Sequence, residues 1–208
     1  MFHNQTAQFV SVVAQNLPEM SGDIMQGWIE NPSALQKALR SVLVPSQNGV
    51  ELKVFKTIKL GTSIQDADGF RKAINETGIR FGDWVADIMF KTAFTIAVDS
   101  QEVDLVVISV AELGFKKGAS LNDIFAKAKE RGLELCPNEI GPQLRLQYAD
   151  QPMDEWLIIG MEPFIISDDN LRLFFVGRDG DIWLGSCYYS PKITWSASSR
   201  FVFVLPRK

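Results

Sequence analysis

The sequence predicts an α+β protein: N-terminal helices, then a mixed α/β region, then a mainly antiparallel C-terminal sheet. Three observations lead there. Residues 5–45 carry apolar residues at helical spacing, residues 103–114 form a β-branched run, and residues past 143 turn to short apolar segments separated by turn residues.

In NPSALQKALRSVLVP, Asn31 can cap, Pro32 suits the first helical position, and Leu35, Ala38, Leu39 and Val42 share a face before Pro45 stops the helix. An earlier helix is expected over Gln5 to Asn16. Helices this short need something to bury their apolar stripe against, either the main domain or another copy of the chain. Polar SQNGV (46–50) reads as a linker, which divides the chain into a helical segment, 1–45, and an α+β domain, 50–208.

The domain opens on VELKVFKTIKL, where apolar residues alternate with lysines as in a half-buried strand. A helix capped by Thr62 or Ser63 follows, with Asp66 and Asp68 near its positive end, Phe70, Ala73 and Ile74 inward, and Gly78 at its close. GDWVADIMF (82–90) predicts a short helix with Asp83 as cap and Trp84 and Ile88 inside. VDLVVISVAELG (103–114) alternates little, so it reads as a central strand covered on both faces. Ser120 starts a helix through Arg131, with Ile124, Phe125 and Ala128 inward and Gly132 as terminator. QLRLQY, EWLIIGM, LRLFFVG, DIWLGSC and RFVFVL then read as five strands of an antiparallel meander, with Asp179-Gly180 turning a hairpin between the third and fourth.

Totals narrow the function. The 208 residues can bury a real core, and 21 basic against 25 acidic side chains leave a net charge of -4, which offers nucleic acid no global attraction. No apolar run approaches the roughly 18 to 20 residues that span a bilayer. The opening stretch lacks a basic region, so it does not read as a signal peptide, and cytoplasm is the expected compartment. Cys136 and Cys187 are expected as free thiols.

A missing residue type excludes most. His3 is the only histidine, so Ser-His and Cys-His nucleophile pairs and histidine-bearing zinc sites have almost nothing to be built from. Cys136 follows a helix end, between Glu134 and Glu139, a setting that favours the protonated thiol; it reads as a buried corner. SDDN (167–170) and RDGD (178–181) do not match a calcium loop, and GFKKGAS (114–120) lacks phosphate-loop spacing. No metal and no cofactor is expected.

Two function classes remain, beside an accessory or regulatory protein acting through its N-terminal helices. Glu134, Glu139, Asp150, Asp154, Glu155 and Glu162 make an acid-rich neighbourhood, and Glu155 with Glu162 would serve a histidine-independent hydrolase if held about 5 to 10 Å apart. Against this stands the aromatic-polar stretch SCYYSPKITWSASSR (186–200), whose tyrosines and serines match the composition of recognition loops. The leading expectation is a non-enzymatic binding module presenting Tyr188, Tyr189, Lys192, Thr194 and Trp195 to a protein or small-molecule ligand, with the N-terminal helices either docked on it or mediating self-association.

The runs FKTIKLGT, DADGFRKAI, GDWVADIM, VDLVVISVAELGF, GLELCPNEIGPQLRLQYADQP, EWLIIGMEP and RFVFV, with NPSALQKAL, resemble an uncharacterised family of bacterial hypothetical proteins frequent in candidate-phylum genomes. The resemblance covers most of the chain and brings no assigned activity. It also implies that residues 177–200 fall where members look least alike. A variable loop on a fixed scaffold would resemble targets of diversity-generating retroelements, which often use a C-type-lectin-like fold.

Overall fold

The computed structural model describes residues 2–43 and 52–207, and the chain divides into two compact units, Met1–Gly49 and Val50–Lys208. The expected stop at Pro45 and the linker 46–50 lie outside the described residues.

The first unit holds three helices, α1 (Phe2–Gln15), α2 (Gly22–Glu30) and α3 (Pro32–Leu43). Ser21 caps α2, its hydroxyl accepting from the Ile24 amide. Asn31 closes α2 and opens α3: its side-chain oxygen accepts from the Ala34 amide at 3.1 Å, with Pro32 in the first helical position. The pattern over 31–43 is therefore borne out, while α2 is a separate helix within what the sequence shows only as a helical stretch. None of its residues is buried, and α2 and α3 pack on each other.

The second unit is α+β. Its elements are β1 (Lys56–Leu60), α4 (Ala67–Glu76), β2 (Arg80–Phe81), α5 (Asp83–Met89), β3 (Gln101–Ser109), α6 (Leu121–Glu130), α7 (Ile140–Gln147), β4 (Trp156–Ile159), β5 (Phe164–Ile165), β6 (Leu171–Arg178), β7 (Ile182–Tyr189) and β8 (Arg200–Leu205). The strands form one sheet in the order β1-β3-β8-β4-β6-β7-β2, with β5 added to β6. Most pairs are antiparallel, but β4 with β8 and β2 with β7 are parallel.

The expected five-strand meander is corrected on two points. β8 leaves β7 to lie between β3 and β4, where Phe201, Val202 and Phe203 become fully buried. QLRLQY, read as a strand, is the body of helix α7. Leu144 and Leu146 alternate over too few residues to separate the two periods, whereas Ile140 and Leu144, both fully buried, are four apart. Pro142 is tolerated because it occupies the first turn, where no intrahelical amide bond is required.

Pairing places Phe175, Ile158 and Phe201 in one row across β6, β4 and β8. Phe174 and Val202, one residue on, must then point the other way. On the first face Phe125 of α6 sets its ring edge against Phe203. On the second, Phe70 of α4, Phe94 and Phe174 form an edge-to-face chain, and α7 crosses at Gly141. A side chain at that glycine would place its Cβ 2.4 Å from the Phe174 ring, so only glycine lets the helix approach.

Local signals divide by cause. Ser120 caps α6 as expected, its hydroxyl accepting from the Asp123 amide at 3.2 Å, and Gly78 and Gly132 take positive φ after their helices. The cap of α4 is Asp66, accepting from Gly69 at 2.7 Å, rather than Thr62 or Ser63, and Gly82 rather than Asp83 stands in the cap position of α5. Trp84, expected inside, is 38% exposed, and its ring lies under the Arg172 guanidinium. An amphipathic indole gains from such a cation without full burial.

Candidate functional site

The stretch from Cys136 to Gln147 organises one end of the domain. Helical spacing puts Glu139, Gln143 and Gln147 in one row, each four residues from the next. That row meets the free edge of β1 and the turn after it. Gln147 accepts from the Lys59 amide and donates to the Lys59 carbonyl, both at 2.8 Å, so its amide replaces a neighbouring strand. Gln143 donates to the Thr62 hydroxyl and to Glu139.

Glu139 is only 1% exposed, and its carboxylate takes three donors: the Gly61 amide at 3.1 Å, the Ala97 amide at 2.7 Å and Gln143 at 2.9 Å. Burial of a carboxylate is tolerable only with such a set. Gly61 is held at φ 60, where a Cβ would lie 2.1 Å from the Asp99 carbonyl. Only glycine can present its amide there.

Asn138 works beside it. Its side chain accepts from the Thr95 amide at 3.0 Å and donates to the Ala93 carbonyl at 3.1 Å, tying the 91–97 loop to the turn before α7. Between that loop, the turn and the β4–β5 connection lies a cavity of about 570 Å³. Its apolar walls come from Leu135, Pro137, Met161, Pro163, Phe164 and Ile165. Its polar lining includes Lys91, Thr92, Thr95, Asn138 and Glu162. Size and lining match what small-molecule sites ordinarily have, with mostly apolar surface and few polar groups.

The cavity is short of reactive groups. Cys136 lines it, but its thiol is buried and donates to the Val202 carbonyl at 3.3 Å, and burial pushes its pKa far up. Burial also pushes Cys187 up to about 12, and both cysteines are free. The sequence reading of Cys136 as a corner is thus matched by its position. Among the described residues, no group of three His, Cys, Asp or Glu is placed to hold a metal ion.

The expected hydrolase pair is not brought together. Glu155 precedes β4 and Glu162 follows it, with about 13 Å of extended chain from Glu155 to the strand's end. Glu155 is committed elsewhere: it accepts from Tyr148 and from Arg200, both at 2.7 Å. Burial and then that bond to Glu155 push the Tyr148 phenol upward. Of the other acids in that neighbourhood, Asp150 meets Lys56 at 3.4 Å, Asp154 takes a turn at positive φ, and Glu134 bridges in backbone to Val204.

The aromatic-polar stretch is also divided. Tyr188 and Tyr189 belong to β7 and so point to opposite faces; Tyr188 is 48% exposed and Tyr189 only 7%. Trp195 is anchored, its backbone exchanging two bonds with Ala119 and its ring packed edge-on against Phe201. Lys192 and Thr194 are exposed. Tyr188, Lys192 and Thr194 thus offer surface, whereas Tyr189 is core and Trp195 a fastening.

The two acid-rich turns serve the fold. Asp168 accepts from Asn170 and Arg172, which hold its carboxyl below its usual value, and Asp179 and Asp181 bond the Trp183 indole and Arg80. GFKKGAS is a turn entering α6 at Ser120. Sequence reading missed Asn138 and the glutamine row, and it placed Glu139 among the acids without its buried position. The available signal was the spacing of 139, 143 and 147, hidden once the segment was read as a strand.

Comparison with protein-family models, with curated proteins and with solved structures finds no match to this chain.

Proposed function

We propose that this is a non-enzymatic binding protein of the cytoplasm that takes a small molecule in the cavity between the 91–97 loop, the turn before α7 and the β4–β5 connection. One observation carries the reading: about 570 Å³ of space with mostly apolar walls, fixed by the paired hydrogen bonds of Asn138. Preorganised walls reduce what a ligand must order on entering. The non-enzymatic reading is supported by protonated thiols, by the commitment of Glu155 to Tyr148 and Arg200, and by its separation from Glu162. Two free cysteines fit a reducing compartment.

The test is ligand-observed NMR on the full chain with 1-octanol as probe. Saturation transfer is expected in the native protein, and loss of it in Ala93→Trp, which places a large ring at the cavity wall from an exposed position. Transfer unchanged by Ala93→Trp, with the variant folded by circular dichroism, defeats the reading.

A second reading concerns protein partners. Phe9, Val10 and Val12 of α1 and Ile24, Met25 and Ile29 of α2 are exposed, and apolar helix surface of that kind favours association between copies. Sedimentation of the full chain is expected to show an oligomer that Ile24→Glu with Ile29→Glu dissociates; a monomer at all concentrations removes this reading. Variation within 177–200, suggested by the family resemblance, is a separate matter. Paralogue substitutions concentrated in codons 186–200 beside an unaltered template copy support it, and uniform silent drift removes it.

A further inference from the structure

Resting on the cavity reading, we propose that the ligand is an amphiphilic cation: an apolar body within the walls and a protonated amine at Glu162. Charge around the cavity is unevenly matched. Lys91 and Glu162 are its ionisable side chains apart from the Cys136 thiol. Lys91 already faces Asp87 at 3.9 Å, one turn back along the chain. Asp87 is itself fixed by the Ser167 amide and hydroxyl, so the lysine's counter-ion is held in place.

Glu162 differs. It is exposed at the cavity and has no hydrogen bond or ion pair among the described residues. A carboxylate at the edge of an apolar wall, with no cation assigned to it, complements a positive ligand group.

An anion finds less. The start of α7 borders the cavity through Pro137 and Asn138, and a helix start can hold anions with free amides. Here those amides are used: Ile140 donates to the Pro137 carbonyl, Gly141 to Asn138 and Gln143 to Glu139, while residue 142 is proline and has none. The Thr95 amide is taken by Asn138. The part of the lining that starts at Lys91 begins just past the last residue of α5, the negative pole of that helix, which favours positive charge.

Three probes of equal chain length separate the possibilities on the intact protein: n-octylammonium, 1-octanol and octanoate, titrated at pH 7 by NMR and calorimetry. Octylammonium is expected to bind about fivefold more tightly than octanol, the scale of one partly exposed ion pair, and octanoate more weakly than octanol. Glu162→Gln is expected to abolish the preference for octylammonium and leave octanol binding unchanged, and added salt to shrink the preference in the unaltered protein. Equal binding of octanol and octylammonium, or tightest binding of octanoate, overturns the cation while leaving the cavity reading in place. Failure of all three to bind overturns both.

Discussion

Residues 138–147 and residues 186–200 invite opposite readings by composition, and the molecule departs from each. In the first stretch Asn138, Glu139, Gln143, Arg145 and Gln147 are polar or charged, yet Glu139 and Gln143 are each 1% exposed. The second is aromatic and polar, yet its members scatter between core, anchor and surface. What separates them is the backbone each can reach. α7 lies along the open edge of β1, whose unpaired amide and carbonyl groups need partners, so its polar row is drawn inward. Tyr188 and Tyr189 simply follow the alternation of β7, which sends one side chain out and the other in.

The comparison breaks most sharply at Tyr189. Removing that 7% exposed ring by Tyr189→Ala is expected to cost about 4 kcal/mol, as for other buried aromatics, measured by urea unfolding. A loss near zero would mean that the strand presents both tyrosines.

Glu139→Ala comes next. It strips acceptors from the Gly61 and Ala97 amides, and a loss of about 3 kcal/mol is expected from donors left without partners. Glu139→Gln retains one acceptor and should lose less. Hydrogen exchange at Gly61 and Ala97 should quicken in the alanine variant; unchanged exchange would show that the carboxylate is not what holds the 91–97 loop.

Gly141→Ala forces a methyl against Phe174 and is expected to cost about 2 kcal/mol through overpacking. Combining it with Phe174→Leu should recover part of that loss, because the smaller side chain frees the space. Strict additivity would separate the two residues.

Exposed contacts are expected to do less. The Arg207 guanidinium, and after it the Thr57 hydroxyl, holds the Asp104 carboxyl down at about 2 from an ordinary 3.8. Since the folded value lies below the unfolded one, the contribution is fully present above the unfolded value and is lost as pH falls through the folded one. Arg207→Ala should therefore flatten the acid limb of stability between those values, read from urea midpoints at successive pH; an unaltered limb would discount the pair. Tyr188→Ala, at an exposed position, should change stability by less than about 0.5 kcal/mol. A larger loss would give Tyr188 a packing role that its exposure denies.

Much of the fold was legible because its signals are local. Asn31 with Pro32, Ser120, Gly132 and the Asp179-Gly180 hairpin act over a few residues and need no distant partner. The α+β class followed from patterns equally local: the helical spacing over 5–45, the β-branched run at 103–114 and the short apolar segments past 143. Errors arose where the partner is remote. Trp84 meets Arg172, 88 positions away in chain number, and so stays at the surface. α7 owes its polar row to β1, and β8 owes its burial to β3 and β4. The candidate site shows the same division. That Cys136 sits in a buried corner could be read from its neighbours, whereas the cavity beside it joins three segments that lie far apart in sequence.

The sequence by itself determined the helix caps, the strand-forming runs, the near absence of imidazole and the want of a net positive charge, since these depend on residue type and short spacing. Only the tertiary structure decided that Glu139 is interior, that a strand lies between Glu155 and Glu162, and that Glu162 borders a mostly apolar hollow with no ion-pair partner among the described residues. Burial and charge pairing depend on which remote segment arrives alongside, and no short pattern encodes that arrival.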